Sequence, residues 1–168
     1  MVEMVVVKLA IDASSRAYVV ILQEREGDRV LPIWIGQPEA ESIIIEMHDI
    51  ARSRPLTHDL CRTLITTLGG ALSRVEITRI EDRTYFAEMH LVRDGEELRV
   101  DARPSDSIAI ALRVGAPIFA AEELLADSGE DWEPGAPPEP PEAPELSAER
   151  LKAYLERLRP EDFGKFNP

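Results

Sequence analysis

This sequence predicts an α+β fold: one compact domain in which a mixed, mostly antiparallel sheet is packed by three helices. Two observations predict it. Short β-branched runs fall in two sets of three, within residues 1–35 and 72–102, and each set is followed by a segment with helical spacing. The stretch ESIII (Glu41 to Ile45) is echoed by DSIAI (Asp106 to Ile110), each a little after a proline, which suggests two related strand-strand-strand-helix halves.

Met1 to Asp12 is rich in Val and reads as a first strand, with Arg16 to Glu26 its antiparallel neighbour and Val30 to Ile35 the third. Gly36 and Gln37 break the run, and Pro38 opens a helix to Ala51 whose Ile43, Ile44, Met47 and Ile50 share a face. A second helix starts at Thr57, an expected N-cap, with Asp59 in its first turn and Leu60, Leu64, Ile65 and Leu68 directed inward. Gly69-Gly70 ends it. Strands follow at Leu72 to Ile80, Thr84 to Arg93 and Glu97 to Ala102, turned at Glu81-Asp82 and Asp94-Gly95. Pro104 to Val114 is apolar on nearly every side and reads as a buried helix; Gly115 stops it, and Pro117 to Ala120 makes a last strand.

The domain is expected to span residues 1–126. An acidic, Pro-rich linker almost devoid of aliphatic residues occupies 127–146. Residues 147–168 hold a short helix with Leu151, Tyr154, Leu155 and Leu158 on one stripe, followed by Phe163 and Phe166. A lone helix this short is marginal in water, so it is expected to dock on the body or to mediate a homo-oligomer, for which the sheet is the other surface.

The 168 residues carry a formal charge of −13. Residues 1–120 hold 19 acids and 14 bases, whereas 121–168 hold 13 acids and 5 bases. Such a chain lacks the basic stripe on which electrostatic nucleic-acid binding normally rests, so the charge disfavours nucleic acid as a partner unless it is sharply segregated. Cys61 is the single cysteine, which rules out an intrachain disulfide and a Cys-based zinc site and fits a cytoplasmic chain. No signal peptide and no membrane span is expected.

Three helix starts share a grammar of proline and first-turn acids: Gly36-Gln37-Pro38-Glu39, Arg54-Pro55-Leu56-Thr57-His58-Asp59 and Arg103-Pro104-Ser105-Asp106-Ser107. Helix termination rules explain each one by itself. The functional reading is that free backbone N–H groups, with Arg54 or Arg103, bind an anion such as phosphate. His58-Asp59 is the natural acid/base and metal-ligand pair; a surface helix start is the plain alternative. The histidines show no HxH or HExxH spacing, which argues against a zinc hydrolase. Carboxylates such as Glu39, Glu41, Asp59 and Asp106 remain the plentiful ligands for Mg²⁺ or Mn²⁺, and metal-assisted phosphodiester hydrolysis needs two or three of them to converge. Ser105 and Ser107 have no recognisable triad context.

Together the blocks LPIWIGQPEAESI, RPLTHDL and ARPSDSIAIALRVGAPIF, over residues 2–125, and the ending PEDFGKF resemble the bifunctional nuclease (BFN) domain family. The resemblance implies a compact α+β domain of bacteria and plants with DNase and RNase activity. It brings no agreed catalytic set. The positions that match are Gly36, Gln37, Glu39 and Glu41, then His58 and Asp59, then Arg103, Ser105, Asp106 and Ser107. The expected chemistry is hydrolysis of DNA or RNA with a divalent cation. Glu41, Asp59 and Asp106 would hold the ion, His58 would move the proton, and Arg54 and Arg103 would grip phosphate. The alternative is a non-catalytic homo-oligomeric scaffold or small-anion-binding module. Some relatives carry a C-terminal motif shared with nucleotide-excision repair proteins, and the acidic tail departs from it.

Overall fold

A computed structural model describes residues 1–12 and 15–125 of the chain. The expected linker and terminal helix, with the docking or oligomer role given to that helix, lie outside these residues. The strands are β1 (Val2–Ile11), β2 (Tyr18–Glu24), β3 (Val30–Ile35), β4 (Gly70–Glu81), β5 (Thr84–Arg93), β6 (Glu96–Ala102) and β7 (Ile118–Ala120). The helices are α1 (Gln37–Met47), α2 (Thr57–Thr67) and α3 (Pro104–Val114), and a 3₁₀ turn follows at Glu122–Leu124.

All seven strands form one sheet in the order β3-β2-β1-β7-β4-β5-β6. Every neighbouring pair is antiparallel except β4 and β7, which run parallel. Each half is therefore a three-strand meander ending in a helix, β1-β2-β3-α1 and β4-β5-β6-α3, and β7 closes the seam between them. The turns follow backbone chemistry. Asp94 and Gly95 both have positive φ, as a tight I′-type hairpin turn requires. The preceding turn is carried by Asp82 and Arg83 rather than by Glu81 and Asp82, one residue later than expected.

One apolar cluster joins the halves. It contains Val20, Leu22 and Leu31 of the first meander, Val75, Ile77, Ala87 and Met89 of the second, Ile43 and Ile44 of α1, and Ile108 to Ala111 of α3. Burying these side chains is the main stabilising term. Helix α3 is covered as its composition predicts; even Ser105, Ser107 and Arg113 are buried.

Three expectations for the helices need correction. Helix α1 stops at Met47, because Asp49 takes a left-handed φ of 51° and the chain leaves the axis four residues before Ala51. Thr57 is the first residue of α2 and Leu56 its N-cap, and the leucine stripe of α2 does not face inward. Leu60, Leu64 and Leu68 are 52%, 50% and 65% exposed, while Cys61 and Ile65 make the contact with the core. The helix lies rotated because Asp59 and His58 bind partners on α3 and so set which side faces the body.

Candidate functional site

The three helix starts anticipated from the sequence meet in space. The chain enters each helix extended, with ψ of 158° at Gly36, 176° at Leu56 and 143° at Arg103. Proline in the first turn of α1 and α3 suits the fixed φ and the missing donor. Around one hollow of about 430 Å³, α1 presents Glu39, Glu41 and Ser42, α2 presents Thr57 and His58, and α3 presents Arg103 and Asp106. Arg52, from the loop between α1 and α2, completes the lining. First-turn N–H groups without intrahelical partners and the positive ends of three helices thus converge on one volume.

Inside it runs a continuous polar chain. Ser42 Oγ lies 2.7 Å from His58 Nδ1, and His58 Nε2 lies 3.0 Å from Asp106 Oδ1. Arg103 grips that carboxylate with both arms, Nε donating to Oδ2 at 2.7 Å and Nη2 to Oδ1 at 3.1 Å. The same Nη2 donates to Glu39 Oε1 at 2.6 Å, tying α3 to α1. Burial works against a charged Asp106, but Arg103 and His58 outweigh it and hold its carboxyl below the ordinary aspartate range. Asp106 in turn raises the Arg103 guanidinium above its usual value, with a smaller contribution from Glu39.

Beneath the hollow lies a second polar junction. The buried Arg113 side chain donates through Nε to Asp59 Oδ1 at 2.7 Å, through Nη1 to Ala109 O at 2.8 Å and through Nη2 to Ser42 O at 3.2 Å. Asp59 also accepts the Leu56 N–H at Oδ2, 2.8 Å away, which caps α2. Burial raises the Asp59 carboxyl, and the Leu56 N–H and Arg113 pull it further the other way, so the net shift is downward. One guanidinium therefore staples all three helices and fixes the backbone that carries Ser42.

Residues 20–133 match the family described as the Bifunctional nuclease domain. The chain belongs to the bifunctional nuclease domain family. It is 42% identical over 166 residues to a protein of Mycobacterium tuberculosis named as uncharacterized, covering 96% of this chain and 97% of that one. It is also similar to Bifunctional nuclease 1 of Oryza sativa subsp. japonica, 25% identical over 121 residues, and to Bifunctional nuclease 2 of Arabidopsis thaliana, 26% identical over 114. Those matches take in 70% and 66% of this chain but 37% and 35% of the plant proteins.

Within the family blocks, the residues singled out from the sequence separate into two groups. Glu39, Glu41, His58, Arg103 and Asp106 line the hollow. Gly36 and Gln37 are outside its lining: the Gly36 carbonyl accepts the Ala40 N–H, and Gln37 Nε2 donates to Glu41 Oε1 at 2.8 Å. Asp59 points to Arg113 instead, Ser107 Oγ donates to the Arg103 carbonyl within its own helix, Ser105 is buried in α3, and Arg54 is exposed outside the lining. The carboxylates expected to hold Mg²⁺ or Mn²⁺ are engaged by guanidinium, amide and imidazole partners. Among the described residues no three of His, Cys, Asp and Glu converge as an ion cage. As placed, this donor set does not fit an ion held by the protein alone.

Ser42, Arg52 and Arg113 went unmarked in the sequence. Ser42 sits in the apolar run of ESIII, and the signal for it was the echo with DSIAI, which aligns it with Ser107. The two serines then diverge, one bonding across to His58 and the other back along its helix.

Proposed function

We infer that the hollow is a phosphodiester site and that the protein is a nuclease acting on DNA or RNA. The observation that carries the reading is the placement of His58 between Ser42 and Asp106, in a hollow where three helix starts meet Arg52 and Arg103. Family membership supports the same chemistry, as do the names of the plant relatives. Helix N-termini and guanidinium groups bind the phosphate, and His58 moves the proton at Nδ1. Asp106 orients the ring, and Arg103 holds Asp106 still. Asp59 acts through Arg113 as a positioning residue.

A small-anion-binding module is the second reading, and one observation favours it. Glu39, Glu41 and Asp106 face Arg52 and Arg103 across the hollow, so the lining carries no excess of positive charge for a long polyanion. Cleavage separates the readings. Highly purified protein is incubated with single- and double-stranded DNA and RNA, with Mg²⁺, Mn²⁺ or chelator, beside identically prepared His58→Ala and Arg103→Ala. The nuclease reading expects cleavage by the wild type that falls about 10²-fold or more in His58→Ala. Binding of phosphate with no turnover would establish the module.

A further inference from the structure

We propose that Ser42 is the nucleophile of this site, attacking phosphorus through a Ser42–His58–Asp106 relay and forming a covalent phosphoseryl intermediate. The inference rests on the reading of the hollow as a phosphodiester site. Hydrogen-bond accounting leads to it. Asp106, ionised and held by Arg103, can only accept, so in the neutral ring His58 Nε2 carries the proton and donates at 3.0 Å. Nδ1 is then the acceptor, and the group 2.7 Å away that donates to it is the Ser42 hydroxyl.

Both ring nitrogens are thus committed, and His58 cannot take a proton from water or substrate without giving up one of these partners. The proton it can take directly is that of Ser42. Nucleophile within reach of base, and base oriented by a carboxylate, is the constellation that activates a serine, here with the two ring nitrogens exchanged. A helical serine more commonly donates to the carbonyl four residues back, as Ser107 does to Arg103. Ser42 is spared that bond and turned toward the hollow. Two further groups suit the reaction. The Ser42 carbonyl is pinned by Arg113, and the Arg52 side chain in the same lining carries a positive charge whose buried Nε has no hydrogen-bond partner among the described residues.

The step balances without an added reagent. Ser42 Oγ forms a bond to phosphorus as its proton passes to His58 Nδ1, and the phosphorus–oxygen bond to the departing strand breaks. That strand's oxygen takes the proton back from His58. Water then attacks phosphorus, gives its proton to His58, and the Ser42 Oγ–phosphorus bond breaks with return of that proton to Ser42. One water is consumed and nothing is oxidised.

A fluorophosphonate reagent tests this directly, because it phosphonylates an activated serine with loss of fluoride. Intact mass and peptide mapping follow the full chain alongside Ser42→Ala, His58→Gln and Asp106→Asn, with circular dichroism melts on each. The expected result is one adduct on Ser42 of the wild type, absent in Ser42→Ala and formed about 10²-fold more slowly in folded His58→Gln. A folded wild type that stays unlabelled at Ser42 overturns the proposal, as does equal labelling in His58→Gln. Nuclease activity retained by Ser42→Ala would also overturn it and leave the nuclease reading intact. Labelling of Ser42 in a protein that cleaves no nucleic acid would support the nucleophile and remove the nuclease reading alone.

Discussion

Arg113 ends a helix that is otherwise almost wholly apolar, and its side chain has no exposure at all. A guanidinium so placed is tolerable because Asp59, Ala109 O and Ser42 O use its donors. Asp59→Ala removes the one negative charge from this junction, and loss of about 3–5 kcal/mol of unfolding free energy is expected in a denaturant titration. Activity lost in that variant would therefore speak of folding, whereas His58→Ala reports on chemistry. Acid dependence follows with a definite sign. Asp59 and Asp106 have carboxyls lowered by folding, so their contribution is complete above the unfolded range near pH ~4 and is lost as pH falls through the lower folded values. Melts taken down the pH scale should show the gap between wild type and Asp59→Asn closing below about pH 4. The sequence announced His58 and Asp59 as a pair because they are adjacent. Helix geometry turns adjacent residues apart, but the sequence could not announce their destinations, one in the hollow and one at an arginine 54 positions away.

At the scale of elements, the strands and helices were legible from periodicity and punctuation, and the departures have local causes. Residues Thr57 to Leu68 show a genuine apolar stripe, but amphipathic spacing says only that a face exists, not which neighbour claims it. Polar contacts from the first turn of α2 to α3 settled the rotation, leaving Leu60, Leu64 and Leu68 in solvent. Leu64→Ala should accordingly change stability by less than about 0.5 kcal/mol. Ile43→Ala, in the fully buried face of α1, should cost about 2–5 kcal/mol in the same titration. Gly115 illustrates a stop signal read correctly: it caps α3 at φ 68°, with nothing near the position of an added Cβ. Gly115→Ala should cost about 1 kcal/mol, all of it backbone. His90 pairs across strands: it is buried beside Glu97, 2.8 Å from Nδ1, and Glu76, 3.2 Å from Nε2.

Taken as a whole, the molecule joins two strand-strand-strand-helix halves through β7, and the echo of five residues that hinted at them sits on the two helices flanking the hollow. What stayed hidden was convergence, since no periodicity tells that starts 20 and 47 residues apart along the chain share one volume. Charge acts at this scale too. With Arg103 already neutralised by Glu39 and Asp106, few cations are left for a polyanion. Binding of a single-stranded oligonucleotide, followed by anisotropy against salt, should show a shallow logarithmic slope of about −1, the signature of one or two phosphate contacts. A slope of about −5 would require a basic surface that the described residues do not offer.

The central claim is that three helix starts form one anion site built around His58. Amide chemical-shift mapping of the full chain with inorganic phosphate, and then with a short oligonucleotide, tests it most directly. Amides of Gln37 and Glu39, Thr57 to Asp59 and Ser105 to Ser107 should move together with one dissociation constant, and the response should weaken in Arg103→Ala. Shifts confined to one of these segments, or lying elsewhere on the body, would contradict it.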